Sequence, residues 1–174
     1  MVSQGRRATN TNRLLRAADY VTAEPWCERS VFLLVGGGPG EEDERCSARE
    51  LGLWAHVRFL GTSQDAALIY AASDITGLTS HIEGLPCALL EAGASELPLS
   101  GSKIRGIPEV VEDGSNGLLF ESGNAMGLAH ALDRLVRDRN LREFMGQGGV
   151  RARDLYALDS YVDWLLAVYG ELLE

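Results

Sequence analysis

Residues 72–95 read ASDITGLTSHIEGLPCALLEAGAS, a β-type run, a polar loop and a small-residue helix in immediate succession. Asp74–Thr79 (DITGLT) has strand composition, and Ser80–Pro86 follows it as a loop. Pro86 suits the first turn of a helix, where its absent N–H is not needed. From Cys87 to Ala94 every residue except Glu91 is apolar or small, so the helix is expected to be buried on all sides. A lone buried carboxylate is costly unless paired or hydrogen-bonded, and Glu91 therefore needs a partner. That partner is either a ligand hydroxyl or a neighbouring backbone group. Glu83 and Gly84 stand where the loop enters the helix, whose free N–H groups and dipole favour an anion. Glu91 lies about five residues, ~7.5 Å, into the helix. The spacing suits a ligand carrying both phosphate and hydroxyls; the alternative is a dipole-stabilising acid followed by a core glutamate.

Outward from this unit, strand and helix signals alternate. Strands are predicted at Val31–Val35, His56–Leu60, Leu97–Gly101 and Gly117–Glu121, besides Asp74–Thr79. Helical runs are predicted near Asn10–Thr22, Glu42–Leu51, Ala66–Ala72, Pro86–Ala94 and Asn124–Arg137. Two closing helices follow, Asn140–Leu155 and Ser160–Leu173, the last with Tyr161, Trp164, Leu165, Val168 and Leu172 as a core-facing stripe. Such alternation predicts an α/β fold, a doubly wound parallel sheet of Rossmann-like type. The loops 36–40, 61–63, 80–86 and 102–108 would then share one sheet edge, where open parallel sheets bind ligands.

With 174 residues the chain has room for one sizeable core, and a single domain over 1–174 is expected. Its 45% apolar and 24% charged residues are ordinary for a globular protein. A net charge of −9 argues against nucleic acid or an anionic membrane as the main partner. No apolar run nears the ~20 residues of a membrane span. The start, MVSQGRRATNTN, lacks the apolar core of a signal peptide. Cys27, Cys46 and Cys87 share no CxxC spacing and read as reduced thiols of a cytoplasmic protein. His56, His81 and His130 are scattered, so neither a metal nor another cofactor is expected.

Two further loops carry chemistry-bearing residues. GGGPG (Gly36–Gly40), with Gly37 and Gly38 at its centre, follows a strand and lets backbone approach a ligand; a plain tight turn is the alternative. Ser102–Glu109 (SKIRGIPE) holds Lys103 and Arg105 and reads either as an anion-facing loop or as a solvated turn.

The ordered set LLVGGGPG, HVRFLG, ASDITGLTS, EGLPCALLEAGAS and GIPEVVEDGSNGLLF resembles the donor-binding, C-terminal half of family 4 (group 1) glycosyltransferases, enzymes of the GT-B fold. The resemblance runs from about Asn10 to Met145, and its most specific part is E-x7-E, Glu83 to Glu91, combined with GIPE at Gly106–Glu109. It implies that Glu91 holds the ribose hydroxyls of a nucleotide-diphosphosugar and that Glu83, as the catalytic-site acid, lies by the donor sugar. Gly84, Leu85 and Pro86 would then approach sugar and diphosphate, with Arg58 to Gly61, including Leu60, bordering the base. Transfer would retain configuration at the anomeric carbon and need no metal, so fixed dipoles and cations must stabilise the leaving diphosphate.

Where the family has a GRL…KG segment, Gly5-Arg6 can stand for Gly-Arg, but the lysine position falls near Thr9. Arg6 and, as substitutes, Lys103 or Arg105 are the expected phosphate cations. Glu96 stands where the family prefers glycine, and Gly93 interrupts a helix. The first donor-domain strand shrinks to about Met1–Gln4 within a truncated 1–8 segment, short and polar for the centre of a 3-2-1-4-5-6 sheet. The family's acceptor-binding half has no counterpart in these residues. The chain is therefore expected to bind donor without turning it over, and to need an acceptor-binding half, a partner chain or self-association near the N-terminus. Two other readings stay open: a non-catalytic nucleotide-sugar-binding module, and half of a sugar-nucleotide epimerase.

Overall fold

The computed structural model describes residues 2–4 and 11–173. Six parallel strands, β1 (Val2–Gln4), β2 (Phe32–Val35), β3 (Val57–Gly61), β4 (Thr76–Leu78), β5 (Leu99–Ser102) and β6 (Gly117–Phe120), form one sheet in the order β3-β2-β1-β4-β5-β6. This is the predicted doubly wound topology. The helices are α1 (Thr11–Thr22), α2 (Glu41–Glu50), α3 (Ala66–Ala71), α4 (Cys87–Ala94), α5 (Ile107–Val110), α6 (Ala125–Arg137), α7 (Arg139–Leu155) and α8 (Leu158–Leu173).

Alternation along each strand sends side chains to opposite faces, and each face has its own core. On one, α1, α2 and α6 bring Leu14, Leu15, Ala48, Leu128 and Leu132 onto Phe32, Leu34, Val57 and Phe120. On the other, α3, α4 and α5 bring Tyr70, Leu89, Ile107 and Val110 onto Val35, Leu78 and Leu99. Order reverses between β1 and β4, the switch point at which open α/β sheets leave a ligand crevice.

Four sequence expectations are corrected. The short polar segment at the N-terminus does build the central strand: β1 pairs with β2 at three positions and with β4 at one, Val2 to Thr76. A ladder is made by backbone groups, so polar side chains do not by themselves forbid it. Pro86 sits before α4 as its N-cap rather than inside the first turn, and its carbonyl accepts from the Leu89 and Leu90 amides. The loop after β5 contains a short helix, α5, begun by Gly106 and Pro108.

The last correction concerns α8. The apolar stripe expected to face the core is largely in solvent, with Trp164 60% and Leu172 75% exposed; only Leu165 and Val168 are half-buried.

Glycines account for the closest approaches. Gly106 has φ 91°, and a β-carbon there would run into the Gly84 carbonyl, so the two loops touch backbone to backbone. Gly93, costly for an isolated helix, is where α4 meets α7: a β-carbon on Gly149 would stand 2.8 Å from its Cα.

Candidate active site

The loops after β4 and β5 and the start of α4 converge at the C-terminal ends of the strands. Glu83 is half-buried there and accepts a 2.6 Å hydrogen bond from Ser80 Oγ. Ser80 is fully buried, and its carbonyl accepts a 2.7 Å bond from Ser102 Oγ at the end of β5. Ser102, Ser80 and Glu83 form a relay that fixes the carboxylate from the sheet outward. The packing of Gly106 on Gly84 fixes the backbone beside it.

Glu91 is exposed, contrary to the expectation of a helix buried all round. Residues Ala88, Leu89, Ala92 and Gly93 are the buried face of α4, whereas Cys87, Glu91 and Ala94 share the outward one. Tyr70 of α3 approaches the carboxylate, its Oη 3.3 Å from Glu91 Oε2 and 3.1 Å from the Ala88 carbonyl oxygen. Burial, followed by the Glu91 charge and that hydrogen bond, pushes the Tyr70 phenol above its ordinary range, so it stays a donor at neutral pH. Glu91 is thus exposed yet oriented, a state open to a ligand.

Gly84 and Leu85 are exposed beside these acids and Pro86 is buried. No side chain caps the start of α4, and the Cys87 amide bonds to the Leu85 carbonyl. Gly37 and Gly38 lie exposed in the loop after β2. Leu60 is exposed on β3, but the Arg58 guanidinium turns back onto the carbonyls of Trp54, Ala55 and Val57. Its charge therefore caps the turn before β3 and does not reach the acids.

Lys103 is exposed and stands 3.7 Å from Glu121; Arg105 is exposed at the entry to α5. Arg6 lies outside the described residues. Among the described residues no three His, Cys, Asp or Glu side chains are arranged to hold a metal. A groove of about 400 Å³ lined by Phe32, Ile75, Leu132 and Arg142 opens at the opposite, N-terminal edge of the strands and shares no residue with these groups.

Tyr70, Ser80 and Ser102 escaped the reading of the sequence. Ser80, three residues before Glu83, carried the only usable signal, a hydroxyl at the strand end within reach of the acid.

Two hydrogen-bonded carboxylates eight residues apart, Glu83 and Glu91, thus stand on either side of the start of α4, with Gly106 packed on Gly84 between the loops. The family "Glycosyl transferases group 1" matches residues 1–151. The chain belongs to that family. It is 35% identical over 153 residues to N-acetyl-alpha-D-glucosaminyl L-malate synthase of Bacillus anthracis, covering 84% of this chain and 38% of that one. It is 32% identical over 169 residues to D-inositol 3-phosphate glycosyltransferase of Saccharomonospora viridis, covering 92% and 39%. The chain thus spans about two fifths of the length of these relatives.

Among solved structures, Staphylococcus aureus TarM, in a G117R mutant complex with Fondaparinux, alpha-GlcNAc-glycerol and UDP, superposes with a TM-score of 0.88 at 21% identity, over 97% of this chain and 35% of that one. Anabaena HepE in complex with UDP and glucose gives 0.86 at 23%, over 98% and 48%. These likenesses establish the fold, that of GT-B glycosyltransferases. Among the described residues no helix is long and apolar enough to cross a membrane.

Proposed function

We propose that this group 1 glycosyltransferase chain is the half that binds a nucleotide-diphosphosugar, in an enzyme that transfers the sugar to an acceptor with retention of configuration. The observation that carries the reading is the disposition of Glu91, exposed at the strand-end crevice while its carboxylate is oriented by Tyr70. A carboxylate accepts from two vicinal hydroxyls at once, which suits a ribose. Glu83, aimed by Ser80, stands by the sugar, and the start of α4, which no side chain caps, offers the positive end of its dipole to the diphosphate. No metal is needed for this scheme, because dipoles and cations can carry the charge of the leaving group. Structures of the same fold containing UDP support a nucleotide donor.

The acceptor is supplied for by another half of the enzyme, either in the same polypeptide or in a partner chain, with self-association near the N-terminus as the route for a chain acting alone. Alone, the chain binds donor without turnover. A cytoplasmic setting, where nucleotide-sugars and reduced thiols coexist, accords with Cys46 and Cys87 exposed and unbridged.

Titration calorimetry with UDP, GDP and ADP tests the reading. One nucleotide is expected to bind, and Glu91→Gln to weaken it about 10- to 100-fold, the range for a hydrogen bond to a charged group. Affinity unchanged in Glu91→Gln, with the variant folded, would reject the ribose role. Multiple turnover by the chain alone would reject its dependence on another half.

A further inference from the structure

Arg13, the third residue of α1, is half-buried at the same strand edge as the two acids. Its Nη1 lies 3.3 Å from Nδ1 of His81, two residues before Glu83. It also packs on Gly123 in the turn after β6, where an added β-carbon would stand 3.5 Å from Nη2. A guanidinium only donates, so His81 Nδ1 is the acceptor in this contact. The loops after β4 and β6 therefore hold this cation of α1 in place, against a histidine two residues before Glu83.

The company it keeps separates Arg13 from Arg45, Lys103 and Arg58. Arg45 is bridged to Glu41, Lys103 faces Glu121, and Arg58 is committed to three carbonyls. Among the described residues no carboxylate lies within ion-pairing distance of Arg13, although the chain has 25 acidic residues against 16 basic ones. A positioned guanidinium with its remaining donors uncommitted to an acid is suited to the paired oxygens of a phosphate, which it grips in a planar fork.

We propose that Arg13 is a diphosphate-binding residue of the donor site. It supplies a positive charge from within α1, in a chain that has Thr9 near the position where the resemblance expects a lysine. This role rests on the donor-binding reading above, and it assigns to Arg13 what the sequence suggested for Lys103 or Arg105. His81 is a positioning residue that holds the guanidinium at the loop leading to Glu83.

Calorimetry with inorganic pyrophosphate, with the preferred nucleoside diphosphate and with the corresponding nucleoside separates the possibilities. Arg13→Gln is expected to weaken pyrophosphate and nucleoside diphosphate by a similar factor, about 10- to 100-fold, and to leave the nucleoside unaffected. Arg13→Lys should restore part of the loss, which a purely structural role would not predict, and also serves if the glutamine variant folds poorly. A Lys103→Ala/Arg105→Ala chain should stay within about twofold of the parent, as expected for solvated charges.

If Arg13→Gln, with an unchanged melting curve, binds pyrophosphate as the parent does, the role of Arg13 is refuted while the donor site stands. If the parent binds neither pyrophosphate nor any nucleoside diphosphate, both readings fall together.

Discussion

Glu96 holds φ 60°, a left-handed conformation that costs a side-chain-bearing residue on the order of 1–2 kcal/mol. The turn imposes it. The Leu97 amide reaches back to the Ala92 carbonyl and the Glu96 amide to that of Gly93, the paired bonds of a helix end whose penultimate position is normally glycine. Nothing near the crevice needs this side chain, which is exposed. Glu96→Gly is therefore expected to stabilise the chain by about 1 kcal/mol, raising the melting temperature by roughly 2–4 °C in calorimetry. An unchanged or lower midpoint would mean that the turn is held by something other than the backbone strain named here. This position was legible in the sequence, because a missing glycine after a helix has a fixed conformational meaning. Glu91 stood out in the sequence, but its environment did not. A helix lined with small residues looks buried whether its second face meets protein or a crevice, and composition alone cannot tell the two apart. Arg13 left no mark at all, since an arginine early in an amphipathic helix looks like any solvated charge until the fold brings His81 and Gly123 to it.

Between elements, Tyr70 is the tie that joins α3 to α4, through the Ala88 carbonyl and the Glu91 carboxylate. Burial first, and Glu91 second, hold its proton more tightly in the folded chain than in the unfolded one, where a phenol titrates near its ordinary value of about 10. A group with a raised folded pKa contributes its full stabilisation below the unfolded value and loses it as pH rises beyond that point. Unfolding free energy is thus expected to decline above about pH 10, and the decline starts earlier because buried Cys27 is also raised above its ordinary 9.0. Tyr70→Phe should cost about 1 kcal/mol at neutral pH by removing the hydrogen bond. It should also flatten the alkaline decline by up to about 1.4 kcal/mol per pH unit, one proton's worth. Urea unfolding of both chains from pH 8 to 11 measures this, and parallel curves would show that Tyr70 carries no part of it. The strand and helix order was readable from alternation alone, because each element has its own period. The tie was not, since nothing in Ala66–Ala71 says which neighbouring helix a tyrosine will face.

At the scale of the molecule, the two C-terminal helices differ in how far they join the packed core. α7 folds back onto α4 through glycine-to-glycine contact, so the helices before it belong to one packed body. α8 does not join that body. Leu158, Trp164, Leu166 and Leu172 are between 60% and 75% exposed, and the helix rests mainly on α7. The helical period of its apolar residues was plain in the sequence, but periodicity reports an apolar face without saying what covers it. Helix burial, not helix formation, is what contributes to stability. Removal of residues 158–174 is accordingly expected to move the melting temperature by no more than about 4 °C, equivalent to roughly 1 kcal/mol in a domain of this size. The same truncation should suppress the concentration-dependent association that so much exposed apolar surface promotes in the intact chain. Sedimentation velocity across a hundredfold range of concentration compares the two. A collapse of the cooperative transition on truncation would place α8 in the core after all, and a strictly monomeric parent chain would show that its apolar face is harmless in water.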